Sequence, residues 1–330
     1  MKCLVTGGAG FIGSHVADAL LLAHHDVVVM DDLSGGFESN VSPQTRFVRG
    51  SITDNALVNT LFQQEKFDAV FHLAAYAAEG LSHFIKRFNY ENNLIGSVNL
   101  INAAVNCNAK CFVFTSSIAV YGAGQNPLSE EMTPIPEDSY GIAKLSVERE
   151  LAITHEMFGL NYVIFRPHNV YGERQNLGDK YRNVIGIFMN QIIQHKPMTI
   201  FGDGSQTRAF THVSDVAPVL ARSVDHPETW QKAYNIGADV PYAVKELAEK
   251  VAGAMGVAPL ITYLQARNEV LHAFSDHSRV RKAFGLGSSV GLDEGLQRMA
   301  AWAKREGAKQ SAPFRNIEIS RNLPPSWRQH

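Results

Sequence analysis

Six short apolar runs alternate with four stretches of helical spacing through the first half of the chain, and this alternation restricts the fold more than any other feature. The runs are Lys2–Thr6, Val27–Asp31, Arg46–Val48, Asp68–Leu73, Lys110–Ser116 and Asn161–Arg166. The helical stretches are Ile12–Ala23, Ala56–Gln64, Asn92–Asn106 and Tyr140–Phe158. Strands that read as near-continuous apolar runs are buried on both faces, which a chain achieves by laying helices over a parallel sheet. Right-handed crossovers then distribute those helices to both sides, giving a doubly wound α/β fold. In such sheets ligands sit outside the carboxyl ends of the strands.

The texture changes after Pro167. Longer loops appear at Gly172–Tyr181 and Gly202–Thr207, between helical stretches at Val184–His195, Ser214–Ser223, Val244–Met255 and Leu292–Lys304. The expected division is a dinucleotide-type domain over residues 1–172, to which 210–237 returns. A smaller C-terminal α/β substrate lobe then comprises 173–209 and 238–330. The segment Gln310–His330 carries Pro313, Pro324 and Pro325 and reads as irregular.

With a formal net charge of -2, the chain has no basic excess to attract nucleic acid or an anionic membrane surface. An anionic ligand must therefore be held by a few placed cations. Cys107 and Cys111 have metal-like spacing, but no second Cys or Cys/His pair completes a site, and no metal is expected. Three cysteines in all suit a reducing cytoplasm. The chain starts directly on a strand, which leaves no room for a signal peptide.

The first strand runs into Thr6-Gly7-Gly8-Ala9-Gly10-Phe11-Ile12-Gly13 and then a helix. Gly7, Gly10 and Gly13 form a G-x-x-G-x-x-G turn. Glycine allows the tight bend, a close approach of backbone to a pyrophosphate, and close packing of helix on strand. The helix N-terminus adds free N–H groups and a partial positive charge. Asp31 ends the second strand, where a carboxylate accepts hydrogen bonds from the hydroxyls of an adenosine ribose. The residues after it, Asp32 to Gly36, include no Arg or Lys, so a 2′-phosphate would meet repulsion and NAD is expected rather than NADP.

Tyr140 and Lys144 lie four residues apart on a predicted helix and so share a face. A free tyrosine, with a pKa of about 10, is a poor base at neutral pH. A nearby ammonium and an oxidised nicotinamide ring each favour the phenolate; a fall of roughly 3 units corresponds to about 4 kcal/mol. Ser117 ends the fifth strand, where its hydroxyl would hold a substrate oxygen while Tyr140 takes the proton.

With these motifs the chain resembles the extended short-chain dehydrogenase/reductases, and within them the nucleotide-sugar epimerase/dehydratase group. The resemblance runs from Met1 to about Met299. Besides Gly7, Gly10, Phe11, Ile12, Gly13, Asp31, Ser117, Tyr140 and Lys144 it rests on His72-Leu73-Ala74-Ala75, on Asn93, and on Arg166-Pro167-His168-Asn169-Val170-Tyr171-Gly172. It implies a Rossmann sheet, and a cofactor lined by Leu73, Ala74 and Ala75. It implies catalysis by Ser117, Tyr140 and Lys144, and a homodimer through the helices at Asn92–Asn106 and Ser139–Phe158. Ser51-Ile52 stands where the family usually carries an Asp that touches the adenine, and both residues are expected beside the cofactor.

The resemblance also implies a nucleotide-sugar substrate, a UDP-sugar, with Asn169, Arg208 and Arg267 on its diphosphate. Phe274 would gate the space beside the sugar. The family usually has Asp after the first of these arginines, where this chain has Ala209. The related dehydratases carry Asp-Glu just after the catalytic hydroxyl residue and the decarboxylases a Glu, because elimination needs extra acids and bases. Here the residues are Ile118-Ala119. The implied reaction is therefore C4 epimerisation through a transient 4-keto sugar, with UDP-glucose and UDP-galactose as the expected pair. UDP-glucuronate epimerisation and other nucleotide-sugar redox chemistry are the alternatives, and a non-catalytic NAD-binding regulator is a remote one.

Overall fold

The structure is a computed structural model, and it describes residues 1–123, 126–266, 271–310 and 314–327. Its first layer is laid down in chain order: β1 (Lys2–Thr6), α1 (Phe11–Leu22), β2 (Asp26–Asp31), β3 (Arg46–Arg49), α2 (Asn55–Glu65) and β4 (Ala69–His72). Two short helices follow, α3 (Glu79–Ser82) and α4 (Lys86–Tyr90), then a π-helical turn at Glu91–Ile95 that leads into α5 (Gly96–Asn106). Next come β5 (Cys111–Thr115), α6 (Ser139–Phe158) and β6 (Asn161–Pro167). After an excursion through the second lobe the chain returns as β11 (Lys232–Ile236). These strands form one seven-stranded sheet in the order β11-β6-β5-β4-β1-β2-β3, with every pairing parallel.

Alternation along the strands explains why both faces are covered. In β1, Cys3 and Val5 face one side with Val27, Val29, Phe71, Val113 and Phe165, and there α1 packs. Leu4 faces the other with Val28, Met30, Val70, Phe112 and Phe114, against α2, α5 and α6. Each fully buried aliphatic or aromatic side chain contributes about 1.5–3 kcal/mol, so two such faces commit the sheet to its register.

The second lobe opens with β7 (Val170–Tyr171) and α7 (Val184–Ile193), then β8 (Met198–Phe201), β9 (Thr207–Ala209) and β10 (Thr211–His212). α8 (Ala217–Arg222) packs on α1, in the first layer. Beyond β11 come β12 (Pro241–Ala243), α9 (Val244–Met255), β13 (Ile261–Leu264), β14 (His272–Ala273), α10 (Ser278–Phe284) and α11 (Leu292–Glu306). α7, α9 and α11 share a core through Phe188, Met189, Leu247, Val251, Leu296 and Met299. Small sheets, β12-β9-β14 and β13-β8, cover it.

The expected division of the chain fails at two places. Val280 and Phe284 of α10 pack into the first layer beside Phe165 and Tyr234, not into the smaller lobe. The C-terminal segment, also expected in that lobe, lays Leu323 and Trp327 against α3 and α4. Neither stretch is an isolated apolar run, so periodicity gave no sign of where it docks. Among the described residues no helix is long and apolar enough to cross a membrane.

Candidate active site

One cavity of about 950 Å³ runs along the carboxyl ends of the strands and between the two lobes. Gly7, Asp31, Ser51, Ala74, Ser117, Tyr140, Lys144, Asn169 and Arg208 all line it. The sequence thus placed its chief candidates around a single space.

The glycine turn is shaped as a cradle. Gly7 has φ +71, and a Cβ there would stand 2.6 Å from the Ala74 nitrogen. A Cβ on Gly13 would collide with the Gly7 carbonyl, and one on Gly36 would meet the Ala9 oxygen at 2.5 Å. Only bare backbone fits, so backbone N–H groups are free to approach a pyrophosphate. Asp31 is braced from two sides: Oδ2 accepts from the Ala9 amide at 3.0 Å and Oδ1 from the Leu33 amide at 2.8 Å. Burial pushes its carboxyl above the usual range, and those amide bonds pull against it. Ser51 and Ile52 follow along the wall, with Leu73, Ala74 and Ala75 opposite the turn. The Thr115 hydroxyl, buried and without a hydrogen-bond partner, also lies on this wall and leaves a polar group for a ligand to satisfy. The chain thus has the cradle, the carboxylate and an orphaned polar atom that a bound dinucleotide requires. Replacing Asp31 with Asn removes a charged acceptor, which costs about 1.5–3 kcal/mol. NAD affinity is expected to fall at least tenfold, read as the NAD retained per chain after purification; undiminished retention would show that Asp31 does not hold the ribose.

At the catalytic end, α6 brings three polar residues onto one face at successive turns: Tyr140, Lys144 and Glu148, all buried. Asp138 caps this helix by accepting from the Gly141 amide at 2.8 Å. The Ser117 side chain favours the ionised form of the Tyr140 phenol. The Ser117 hydroxyl also accepts from the Ala119 amide at 3.1 Å, which fixes the turn after β5. Lys144 donates to the Thr115 carbonyl at 2.7 Å, and its Nζ lies 5.7 Å from the centre of the Tyr140 ring.

The electrostatics correct one expectation. A neighbouring ammonium was expected to make the phenol acidic. In the protein alone, burial pushes Tyr140 up and Glu79 adds to it, while Ser117 and Arg182 work the other way. Lys144 is itself pushed down to about 7 by burial, with Glu148 opposing. The amine therefore carries only part of its charge near neutrality, and further positive charge must come with the cofactor. The missing signal was burial, which the spacing of Tyr140 and Lys144 does not reveal.

Glu148 itself is held by Arg166 of β6 through Nε at 2.9 Å and Nη2 at 2.5 Å, and it accepts from the Ser116 hydroxyl at 2.5 Å. Arg166 also donates to the Tyr121 hydroxyl at 2.7 Å, which donates in turn to Asn235 of β11 at 2.8 Å. This buried network ties α6, β6, β11 and the turn bearing Ser117 together.

In the second lobe Asn169, at φ 41, and Arg208 both reach the cavity. The Asn169 side chain donates to the Ala209 carbonyl at 3.2 Å, and Arg208 donates to the Thr207 and Leu271 carbonyls at 2.8 and 3.0 Å. Arg267 lies outside the described residues. Phe274 does not hold the position expected of it. Its backbone pairs with Leu128 and Asn126, while Leu271, His272 and Ala273 form the wall. His168 also lines the cavity, but it is pushed down to about 3 by burial and stacks on His277.

The sequence motifs do not mark Glu79 and Arg182, two further cavity residues whose charges act on Tyr140. Arg182 pairs with Asp179, sits 5.1 Å over the Tyr76 ring, and lies near Gly35. It brings a cation from the second lobe to the dinucleotide groove. No motif spacing marks either residue; both arrive through the tertiary fold.

The glycine cradle, the Asp31 carboxylate and the buried Ser117, Tyr140 and Lys144 thus line one cavity, an arrangement suited to a dinucleotide-dependent enzyme. The profile of the NAD dependent epimerase/dehydratase family matches residues 3–237, and the chain belongs to that family. It is 34% identical to a UDP-glucose 4-epimerase of Mycolicibacterium smegmatis over 90% of this chain and 96% of that one. A UDP-glucose 4-epimerase of Thermotoga maritima, solved with UDP-glucose, superposes with a TM-score of 0.89 at 31% identity, covering 93% of this chain and 99% of that one. A UDP-glucuronic acid 4-epimerase of Bacillus cereus, solved with UDP-glucuronic acid and NAD, gives 0.85 at 29% identity, covering 93% and 100%. NAD is the cofactor of this family, and the cradle described above fits it.

Proposed function

We propose that the protein interconverts the 4-epimers of a UDP-hexose, UDP-glucose and UDP-galactose, by oxidation and re-reduction at C4. The observation that carries this reading is that Ser117, Tyr140 and Lys144 line one cavity with the glycine turn and Asp31, and that Ser117 is followed by Ile118-Ala119 rather than by acids. Bound NAD supplies the hydride acceptor, the later hydride donor, and a positive ring charge.

The residues of the chain do the rest. Ser117 holds the sugar 4-oxygen by a hydrogen bond. Tyr140 takes the 4-hydroxyl proton and later returns it to the oxygen of the 4-keto sugar. Lys144 keeps a partial positive charge beside the phenol. Asn169, Arg208 and Arg267 tether the diphosphate while the keto sugar turns over, so the return step is effectively intramolecular. Arg182 offers a cation to the cofactor phosphates.

A second reading, elimination of water from the sugar, rests on Glu79, a carboxylate at the cavity wall whose charge opposes ionisation of the Tyr140 phenol. Exposed Ile142, Ile153, Met157 and Phe158 on α6 support a homodimer through α5 and α6. Three free cysteines suit a cytoplasmic setting.

Incubation with UDP-glucose, UDP-galactose and UDP-glucuronate without added cofactor tests the reading. Interconversion of the first two is expected, with no 4-keto-6-deoxy product. Epimerisation of UDP-glucuronate alone would move the assignment to uronates, and no product from any of the three would overturn it.

A further inference from the structure

His168, just past β6, lines the cavity, as do its chain neighbour Asn169 and Arg208. Its Nδ1 reaches the Ala209 carbonyl at 3.3 Å, the same oxygen that accepts from the Asn169 side chain at 3.2 Å. Its Nε2 lies 3.0 Å from Nε2 of His277, the residue before α10, and the two rings are within 16° of parallel. His277 Nδ1 lies 2.7 Å from Asp239 Oδ1, and the Asp239 carboxylate also pairs with Arg281 of α10. Both rings are buried, whereas the Asp239 side chain is 52% exposed. A Cβ on Gly237 would collide with His168 Nε2, so the glycine clears the space in which the rings meet.

This line of contacts is one proton short. A carbonyl oxygen and an ionised carboxylate only accept, so each end of the line takes an Nδ1–H. Two neutral imidazoles carry one proton each, and both are spent at the ends. The two Nε2 atoms then face each other as lone pairs. The Ser275 hydroxyl, 3.0 Å from His277 Nε2, can donate to that nitrogen but leaves the His168 nitrogen without a donor. A third proton, on His277 Nε2, fills every contact: it donates to His168 while Nδ1 keeps Asp239. The titratable and charged groups that face the pair are Asp239, Arg281 and Asp276. In the protein alone, burial holds both rings below their ordinary value, which keeps the third proton out near neutrality.

We propose that substrate binding draws this proton in: a diphosphate held at Asn169 and Arg208 turns the His168–His277 pair into a cation on the wall of its subsite. This rests on the UDP-sugar reading above. The negative charges of the diphosphate favour the protonated pair, and the exposed Asp239 joins the pair to solvent, from which the proton comes. The two histidines touch no reacting atom, so they are positioning residues. Binding raises the pKa of the pair, so affinity is highest at low pH and falls as pH rises, by at most about tenfold per unit for one proton.

Calorimetric titration of the NAD-loaded Tyr140→Phe protein with UDP-glucose, in two buffers of different ionisation heat, reads the protons taken up. The substitution removes turnover, and UDP-glucose itself has no group that titrates near neutrality. Uptake of roughly half a proton per site is expected at about pH 7, with affinity falling about tenfold between about pH 6 and pH 8. Adding His277→Gln, which can donate to His168 without charge, is expected to abolish the uptake and flatten the pH profile. Adding Asp239→Asn instead removes the counter-charge at an exposed position and is expected to lose most of the uptake; it carries the comparison if thermal melting shows His277→Gln to be unfolded. Lys144 also titrates in this range. Uptake that persists unchanged in the folded variant would assign the proton to Lys144 and overturn the inference, as would the absence of uptake in the parent. Failure of the NAD-loaded protein to bind UDP-glucose at all would overturn the function, and this inference with it.

Discussion

Tyr140→Phe is expected to keep its NAD and lose at least a thousandfold in turnover. The phenol oxygen is the only atom removed, and general acid–base transfer by a placed side chain contributes about 10²–10⁴ in rate. The ring stays in its buried seat, so the α6 face and the cradle are undisturbed. Ser117 keeps the Ala119 amide, and the stability change is limited to about 1 kcal/mol. The check is paired: NAD content per chain, and the rate of approach to epimer equilibrium under single-turnover conditions. A residual rate within tenfold of wild type would mean that another group moves the proton. Glu79 is the next candidate, because it is the carboxylate nearest in effect to that phenol.

Breaking the buried ion pair should have the largest effect on stability. Arg166→Leu leaves Glu148 buried and short of two charged hydrogen bonds, and also strips a donor from Tyr121. Removing one partner of such a pair costs about 3–5 kcal/mol. Replacing both residues, Glu148→Leu with Arg166→Met, removes the uncompensated charge and should recover most of that loss. Urea unfolding, with the midpoint compared at equal slope, measures both. A single variant that costs under about 1 kcal/mol would show that water reaches Glu148 and that the network is not sealed. The network also matters to chemistry, since it joins α6 to the turn that carries Ser117. Turnover should therefore fall in Arg166→Leu even at temperatures where the protein remains folded.

Strands and helices with strong periodicity were legible in the sequence to within a residue or two. β1 falls on the expected Lys2–Thr6, α9 on Val244–Met255, and α6 begins one residue before the expected Tyr140. Their positions follow from local chemistry: β-branched runs buried on both faces, an Asp138 cap, a glycine that stops α6 at Gly159. Less was legible where an element is short or takes its stability from distant partners. β11, α3, α4 and α10 lack a clear apolar period, and each is held by contacts far away in the chain.

The site divides along the same line. Gly7, Gly13, Asp31, Ser117, Tyr140 and Lys144 sit at fixed offsets from strand ends, so spacing suffices to find them. Arg182 and Glu79 come from a loop and a short helix that only the packed structure brings to the cavity. The Phe274 expectation fails for a related reason. Phe274 follows β14, and its backbone is engaged by Leu128 and Asn126, partners distant in the chain that local spacing does not reveal. Charge state was also out of reach, because the acidity of Tyr140 and Lys144 depends on how dry their surroundings are.

The seventh strand of the sheet is made late. β6 ends at Pro167, yet its neighbour β11 begins only at Lys232, after most of α7, α8 and the small strands between have been synthesised. During synthesis the nascent β6 therefore offers an open row of amides and carbonyls, the kind of edge that invites pairing with another chain. The capping strand must then close a long loop to reach it, which makes this docking a slow, non-local event in folding. Nascent-chain misassembly, when it happens, should begin at that edge.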